Sequence, residues 1–466
     1  MRSRNLRTTK PAFRAAVILA VATTLTGCDN GFRNPPVNPP ADTVTFPSAS
    51  TQGWLQQYGT GYLPTPPPSP RSRHNGDTAY GVATDFQGNV IILDKTYGAF
   101  PGFTSNNLSQ FAVVKFDNGG NRVWTQQLGT GMGDYPAAIA TDAQGNIFIG
   151  GSTNGAFPGF TNANGTRQNV VIKLNPAGQV LWTQQFPSPG SSVGPTQVTS
   201  LATDAQSNVV VGGSYEDAQD YPHGYVMKLA AADGSTIWSQ GSGTNKYLNV
   251  TGVGVDGQGS VIAVGAFAGT GSSASTTYMV SKLDGASGQT TWVQQPVSIS
   301  PYGSQNQIYT QVAIDAQSNV FVDGLDVSTG WGQCTVAKLD DGSGSQVWRQ
   351  SFGAPQLCIP GSVAADTAGN VLMTGGAIYP FFPSSNPSNQ DDVFLAKLSG
   401  GGQAVWLQQF GTGLEGAPNY TATNALMFVA TDAQNNGYVA GTTAGAFPGF
   451  TSPNGAFELI ATQFGQ

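Results

Sequence analysis

Residues 140–151 read Ala-Thr-Asp-Ala-Gln-Gly-Asn-Ile-Phe-Ile-Gly-Gly, and variants of this stretch recur along the whole chain. The aspartate of the stretch returns with a mean spacing of ~58 residues, which is typical of a repeat architecture. Two other signatures keep the same period, a Lys followed by Leu or Phe and a Trp-x-Gln triplet. The aspartates are Asp85, Asp142, Asp204, Asp256, Asp315, Asp366 and Asp432. The lysines are Lys115, Lys173, Lys228, Lys282, Lys338 and Lys397, and the tryptophans are Trp54, Trp124, Trp182, Trp238, Trp292, Trp348 and Trp406.

Each repeat contains four short stretches with the composition of β-strands. In the second repeat they cover residues 137–142, 146–150, 169–174 and 180–186, and we name them strands A, B, C and D. The segments between them are short and rich in Gly and Asn, as tight hairpins require. Four antiparallel strands repeated seven times predict an all-β fold, a seven-bladed β-propeller.

The two ends of the repeat region predict how the ring closes. The first strand, 52–58, has the sequence of a D strand, and the last strand, 457–464, has that of a C strand. Pairing them completes the seventh blade and leaves no open sheet edge. The sequence therefore predicts a propeller over residues 52–466, closed by its N-terminal strand.

The composition agrees with this architecture and excludes several functional classes. Of 466 residues, 62 are Gly and 29 are Pro, and this density of helix-breaking residues argues against a helical repeat. Only 10% of residues are charged and the net charge is -7, so no basic surface for nucleic acid is expected.

The first residues have the pattern of an export signal. Basic residues up to Arg14 precede an apolar run that is too short to span a bilayer, and the run ends in Leu25-Thr26-Gly27-Cys28. This tetrapeptide resembles the lipobox of bacterial lipoproteins, which implies a signal peptide over 1–27 and a lipid on Cys28. Residues 28–51 then form a tether rich in Pro, Asn and Thr, and the membrane is the expected partner at the cell envelope, facing the periplasm or the exterior. The alternative is an ordinary secretory signal followed by an unmodified Cys.

The repeat units resemble the bacterial seven-bladed β-propeller repeat family (SBBP), on their D-x-x-G-N-V-Y-V-x-G, F-P, K-L-x-x-x-G and W-x-x-x-F-G elements. The resemblance covers residues 52–464 and implies an architecture rather than an activity, since most of that family has no assigned function. Residues 282–292 and 338–348 more weakly resemble the tryptophan-docking motif of quinoprotein-type propellers. Those propellers typically have eight blades and an adjacent Cys-Cys pair, which this chain lacks. The second resemblance therefore implies packing, and no cofactor is predicted.

The repeated residues have structural roles in this interpretation. We expect the Trp to pack between blades, the Asp to cap the A–B turn, and the Lys to reach that Asp or a carbonyl of the next blade. Calcium binding by the seven aspartates is the less favoured alternative, because each turn offers only one carboxylate, and no metal is predicted. With Cys28 lipidated, Cys334 and Cys358 remain as a pair that forms a disulfide or stays as two buried thiols.

No catalytic constellation is visible, and the sequence predicts a protein that is not an enzyme. His74 and His223 have no nearby acidic or Cys partner, and no nucleophile-elbow, zinc-protease or Walker motif occurs. The pair Asp391-Asp392 is interpreted as a solvated loop, and the acidic loop 216–220 as a weak cation site at best. A carbohydrate-active propeller enzyme, lyase or glycosidase, and an envelope-assembly scaffold stay open as alternatives.

The heptapeptide Gly-Ala-Phe-Pro-Gly-Phe-Thr occurs at 98–104, 155–161 and 445–451, and we name these segments the Phe-Pro loops. They are B–C loops of blades one, two and seven, which are contiguous in a closed ring. Aromatic rings beside Asn side chains suit sugars or peptides, so we expect a non-catalytic binding or scaffold module for a protein, peptide or glycan. The alternative is a family plug without a ligand. The expected ligand contacts are Phe100, Phe103, Asn107, Phe157, Phe160, Asn164, Phe447, Phe450 and Asn454.

Overall fold

The computed structural model describes residues 52–62, 76–162, 165–187, 196–216, 222–241, 247–268, 276–294, 307–326, 333–352, 358–377, 392–410, 427–443, 450 and 458–465. Within these ranges no helix is long and apolar enough to cross a membrane. The expected signal peptide, the lipidated Cys28 and the tether all lie outside the described residues.

The described ranges contain twenty-eight strands, which form seven four-stranded antiparallel sheets. Blades one to six each use four consecutive strands in sequence order. The first strand is β1 (Gln52–Tyr58). Blade one comprises β2 (Thr78–Thr84), β3 (Val90–Thr96), β4 (Gln110–Phe116) and β5 (Arg122–Leu128). Blade two comprises β6 (Asp134–Thr141), β7 (Ile147–Thr153), β8 (Gln168–Leu174) and β9 (Val180–Phe186). Blade three comprises β10 (Thr196–Thr203), β11 (Val209–Glu216), β12 (Pro222–Leu229) and β13 (Thr236–Gly241).

The second half of the ring repeats the pattern. Blade four comprises β14 (Tyr247–Val255), β15 (Val261–Ala268), β16 (Thr276–Leu283) and β17 (Thr290–Gln294). Blade five comprises β18 (Gln307–Ile314), β19 (Val320–Asp326), β20 (Gln333–Leu339) and β21 (Gln346–Phe352). Blade six comprises β22 (Cys358–Ala365), β23 (Val371–Ala377), β24 (Asp392–Leu398) and β25 (Ala404–Phe410). Blade seven comprises β26 (Phe428–Thr431), β27 (Gly437–Thr443), β28 (Glu458–Phe464) and the first strand of the chain, β1.

The predicted seven-bladed propeller and its closure are confirmed. In blade seven the strand order is β1-β28-β27-β26, with Gln52 opposite Phe464 and Tyr58 opposite Leu459. The A strands are longer than the sequence indicated, because β6 begins at Asp134 and pairs with Thr153 beyond a bulge at residues 136–138. A bulge inserts an extra residue without ending the pairing, which the local sequence pattern does not reveal.

The hydrophobic core lies between neighbouring blades. Ile91 and Phe111 of blade one pack in one buried cluster with Ile149 and Val170 of blade two. Close approach of the sheets requires small residues at the junction, since a Cβ on Gly81 would lie 2.7 Å from Cγ2 of Ile139 in blade two. Blades therefore stabilise one another, and the ring needs every neighbour in place.

The A–B and C–D turns lie together on one end of the ring, which we name the turn face. In blade one, Asp85 Oδ1 accepts the N–H groups of Gln87 and Asn89, each at 3.0 Å, and its Oδ2 lies 2.8 Å from Lys115 Nζ. Lys115 also donates to the carbonyl of Pro176 in blade two at 3.2 Å. Both predicted contacts of the lysine are therefore present, and they are buried rather than exposed.

The tryptophans complete this contact on the turn face. Trp124 Nε1 donates to the same Pro176 carbonyl at 3.1 Å, and its ring covers Gly178, where an added Cβ would lie 3.2 Å from the ring atoms. Gly178 has a φ of 82°, which glycine adopts without strain. We name this arrangement the Lys–Trp clasp: one carbonyl of the next blade accepts from both side chains. It also joins blade two to three (Ala231), three to four (Gly285), four to five (Asp341) and five to six (Gly400).

The structure contains the Cys334–Cys358 disulfide, with the two Cα atoms 5.4 Å apart. Cys358 is the first residue of β22, so the bond joins the C strand of blade five to the A strand of blade six. Both cysteines are fully buried. In the chain-entropy model a loop of this length contributes roughly 3 kcal/mol.

Candidate binding face

The B–C and D–A loops emerge on the end of the ring opposite the turn face, and we name this end the loop face. In blade one the Phe100 N–H donates to Gln127 Oε1 at 3.1 Å, and Gln127 Nε2 donates to the Gly98 carbonyl at 2.9 Å. Gln127 is buried on the outer strand β5. The Phe-Pro loop is thereby held by two hydrogen bonds from a side chain outside it.

Blade two repeats the arrangement. The Phe157 N–H donates to Gln185 Oε1 at 2.9 Å, and Gln185 Nε2 donates to the Gly155 carbonyl at 2.9 Å. The sequence reasoning noticed these glutamines only as part of the Trp motif and missed their role. No sequence signal singled these glutamines out, because blades four and six lack the Phe-Pro heptapeptide and still carry Gln295 and Gln409 at the equivalent position.

The expectation that Phe100 and Phe157 contact a ligand is corrected by their burial. They are 1% and 5% exposed. The Phe100 ring stacks on Tyr58 of β1 at 5.1 Å between centroids, and the Phe157 ring meets Phe111 edge-on at 6.4 Å. In blades one and two the first Phe of the heptapeptide therefore packs against the preceding blade, as the alternative interpretation expected.

The second Phe of each loop lies nearer the surface. Phe103, Phe160 and Phe450 are half-buried, and Asn107 is exposed with a φ of 64°. Phe103 and Phe160 are placed by turns in which their N–H groups donate to the carbonyls of Phe100 and Phe157. Asn164, Phe447 and Asn454 lie outside the described residues.

The D–A loops that lead into blades one and two begin with Gly-Thr-Gly, at 59–61 and 129–131, and each is held by a buried carboxyl. Asp77 accepts hydrogen bonds from the hydroxyl of Thr60, and Asp134 accepts from the N–H and hydroxyl of Thr130 at 2.8 and 2.9 Å. Thr153 donates to Asp134 as well, at 2.6 Å. Burial raises the pKa of Asp134 although these donors act in the opposite direction.

The loop faces of blades one and two are joined into one surface. Asn106 Nδ2 donates to the Gly131 carbonyl at 2.8 Å, and the Asp134 N–H donates to the Ser109 carbonyl at 2.8 Å. Two apolar side chains stand out from this junction, since Leu108 is 42% and Met132 is 60% exposed.

Blade one also differs from all others at Asp94, where the other six blades carry glycine: Gly151, Gly213, Gly265, Gly324, Gly375 and Gly441. Asp94 is fully buried, and its Oδ1 accepts the Thr78 N–H at 2.7 Å. Its Oδ2 has no hydrogen-bond partner among the described residues. Burial, together with the neighbouring carboxylate of Asp77, raises the pKa of Asp94 well above its usual range.

Two cations of the loop face rest on tyrosine rings, and sequence reasoning missed both. Lys95 Nζ donates to Tyr80 Oη at 3.2 Å and lies 5.3 and 5.6 Å from the ring centroids of Tyr80 and Tyr97. The guanidinium carbon of Arg167 lies 4.1 Å from the Tyr135 centroid.

The residues considered for catalysis or metal binding are not brought together in the described part of the chain. His223 stacks on Tyr215 at 5.1 Å, and Asp392 is the first residue of β24 rather than part of a loop. No group of three or more His, Cys, Asp or Glu side chains suited to a metal ion occurs among the described residues. His74 and Asp391 lie outside them.

Comparisons with known proteins agree with the architecture. Residues 123–158 match the family model of the beta-propeller repeat, SBBP, as the sequence resemblance indicated. An uncharacterized WD repeat-containing protein of Acanthamoeba polyphaga mimivirus is 23% identical over 177 residues, which cover 34% of this chain and 12% of that protein.

Several solved structures are similar to this chain at low sequence identity. A protein of unknown function from Dyadobacter fermentans is 12% identical, with 72% of this chain and 96% of that chain covered and a TM-score of 0.44. The quinohemoprotein alcohol dehydrogenase of Comamonas testosteroni is 12% identical, with 89% and 76% covered and a TM-score of 0.44. The acylaminoacyl peptidase of Pyrococcus horikoshii is 10% identical, with 79% and 49% covered and a TM-score of 0.44. Likenesses of this size say nothing about activity.

Proposed function

We propose that this protein is a lipid-anchored extracytoplasmic propeller that binds a protein, peptide or glycan on its loop face and catalyses no reaction. One observation carries the proposal: two adjacent Phe-Pro loops are held by Gln127 and Gln185 and joined through Asn106 to the exposed Leu108 and Met132. A surface whose loops are fixed before binding loses little conformational freedom when a ligand arrives. Apolar side chains beside amide groups suit ligands that are partly apolar.

The test is a glycan and peptide array probed with the full chain, followed by titration of the best ligand. The double variant Leu108→Ser/Met132→Ser should weaken that ligand at least about tenfold, or ~1.4 kcal/mol. Val347→Ser is the matched control, since Val347 is 58% exposed but lies on the outer strand of blade five. Equal affinity of the double variant and the native protein for every bound ligand would contradict the proposal.

The anchor has its own test, because it rests on the sequence pattern of the first 28 residues and not on the binding face. We expect the native protein in the membrane fraction after a high-salt wash and Cys28→Ser in the soluble fraction, with an unchanged melting temperature. Retention of Cys28→Ser in the washed membranes would contradict the lipid anchor without affecting the binding face.

A further inference from the structure

Lys95 and Arg167, the two cations of the loop face that lie over tyrosine rings, are on the part of this face formed by the innermost strands. Tyr80 belongs to β2 and Tyr135 to β6, the innermost strands of blades one and two, which contact each other around the ring axis. Lys95 is the second-to-last residue of β3, and Arg167 directly precedes β8. Each cation therefore lies over a tyrosine of the innermost strand of its own blade.

Few of their hydrogen-bond donors are used within the described part of the chain. There Lys95 donates one bond, to Tyr80, whereas an ammonium has three donors. Arg167 makes no hydrogen bond to another described residue, and a guanidinium has five donors. By contrast, the six repeat lysines are buried on the turn face and engaged with carboxylates or carbonyls of the next blade.

The nearby carboxyls do not offset these charges at the surface. Asp77, Asp94 and Asp134 are each fully buried. Burial raises the pKa of both Asp94 and Asp134, which favours their neutral forms. Asp94 and Asp134 therefore oppose the charges of Lys95 and Arg167 less than ionised carboxylates would.

We propose that Lys95 and Arg167 form an anion-recognition pair that binds the carboxylates of an acidic peptide segment, while Leu108 and Met132 contact its aliphatic side chains. This rests on the proposed function and names its ligand class. Arginine and lysine donors form charge-assisted hydrogen bonds with carboxylates. A peptide is favoured over an acidic glycan because the faces of Tyr80 and Tyr135 are already covered by the cations, which leaves them closed to stacking on a sugar ring. The exposed neighbours are aliphatic instead.

The test uses the full chain and a fluorescently labelled octapeptide of alternating Leu and Glu, measured by anisotropy. The matched probes are a Leu/Gln octapeptide and a tetramer of galacturonic acid. The Leu/Glu peptide should bind, the Leu/Gln peptide should bind at least about tenfold more weakly, and added salt should weaken the first but not the second.

Variants locate the charge. Lys95→Gln and Arg167→Gln should each weaken the Leu/Glu peptide by about tenfold, the size of one charge-assisted hydrogen bond. Arg122→Gln is the matched control, because Arg122 also lies over a tyrosine ring, 4.8 Å from the Tyr58 centroid, but on the outer strand β5. It should bind like the native protein, and the melting temperature of each variant verifies folding.

Any other result of these binding experiments contradicts the proposal that Lys95 and Arg167 bind an acidic peptide. Equal binding of the Glu and Gln peptides, or no effect of Lys95→Gln and Arg167→Gln, removes the anion pair but leaves a loop-face site that Leu108 and Met132 still test. Binding of the galacturonate tetramer without the peptide replaces the ligand class by an acidic glycan. If neither probe binds while an array ligand still depends on Leu108 and Met132, this inference fails and the proposed function stands.

Discussion

Blades one to six and blade seven are built from the same repeat, yet the junction between blades six and seven differs from the others. In blade three, Trp238 Nε1 donates to the Gly285 carbonyl of blade four at 3.0 Å. In blade six, Trp406 is equally buried, but its Nε1 has no hydrogen-bond partner among the described residues. The acceptor of each clasp lies three residues after the lysine of the next blade, and in blade seven that position is residue 466, outside the described residues.

Blade seven also replaces the buried ion pair. Gln463 stands where the other blades have the repeated lysine. Tyr438 Oη donates to Asp432 Oδ2 at 2.8 Å, and Gln463 Nε2 donates to Tyr438 Oη at 3.3 Å. Burial, with the adjacent Asp432 carboxylate, raises the pKa of Tyr438. The closing blade thus satisfies the same aspartate with neutral donors.

This comparison indicates that the ring closes without seven identical Lys–Trp clasps between its blades. Trp54 of β1 reproduces the tryptophan half of the clasp at the junction of blades seven and one, donating to the Asn118 carbonyl at 3.0 Å and covering Gly120. The closing strand therefore keeps the tryptophan contact at one junction, although Gln463 replaces the lysine there.

The largest effect should come from removing the closing strand. Deleting residues 52–58 removes one edge of blade seven together with the hydrogen bond from Trp54 to Asn118, and we expect the melting temperature to fall by about 10 °C or more, the effect of several kcal/mol in a domain of this size. Deleting 29–45 is the control and should change it little. Similar melting temperatures for the two deletions would show that β1 does not close the ring.

The next effect concerns the ion pair that blade seven lacks. Lys228 Nζ lies 2.7 Å from Asp204 Oδ2, with side chains 9% and 1% exposed. Lys228→Met leaves a buried carboxylate unpaired and should lower the free energy of unfolding in urea by about 3–5 kcal/mol. Adding Asp204→Asn should recover much of the loss. A single variant as stable as the native protein would mean that the pair contributes only packing.

A smaller effect distinguishes the two kinds of junction. Trp238→Phe removes a hydrogen bond, and this loss should lower the free energy of unfolding by about 1 kcal/mol in addition to the effect of the smaller ring. Trp406→Phe removes an N–H that has no partner among the described residues, so the free energy of unfolding should decrease less than in Trp238→Phe. Urea denaturation of the two variants measures the difference, and equal losses would show that Trp406 is bonded like the others.

The smallest effect is a pH dependence. Burial raises the pKa of Asp204, but hydrogen bonds from Lys228 and Asn208 outweigh it and the net pKa is lowered, so the stability it contributes is lost as pH falls below about 4. The effect of Asp94 on stability runs in the opposite direction with pH. Burial raises its pKa, so Asp94 lowers the free energy of unfolding as pH rises above the ordinary carboxyl range. Asp94→Asn should therefore gain melting temperature relative to the native protein at pH 7 and show a smaller gain at pH 4. A gain independent of pH would indicate that Asp94 does not titrate.

The repeat made the fold readable from the sequence, because Asp85, Lys115 and Trp124 recur with one period and each has one structural role. The binding face was harder to predict. A motif repeat does not tell which ring points inward, so Phe100 and Phe103 were treated alike although one is buried and the other is half-buried. Lys95 and Arg167 were missed since they occur once each, and a search for repeated residues discards single ones.

The claim that the first strand completes the last blade has a direct test by cross-linking. Gln56 lies opposite Ala461 in the pairing of β1 with β28. In a Cys28→Ser background, Gln56→Cys/Ala461→Cys should form a disulfide seen by non-reducing peptide mapping, because paired strands place Cα atoms about 4.5–5.5 Å apart. The control Gln56→Cys/Val429→Cys joins strands at opposite edges of the blade, about 14 Å apart, and should not cross-link. Free thiols in the first pair, or equal cross-linking of both, would contradict closure by β1.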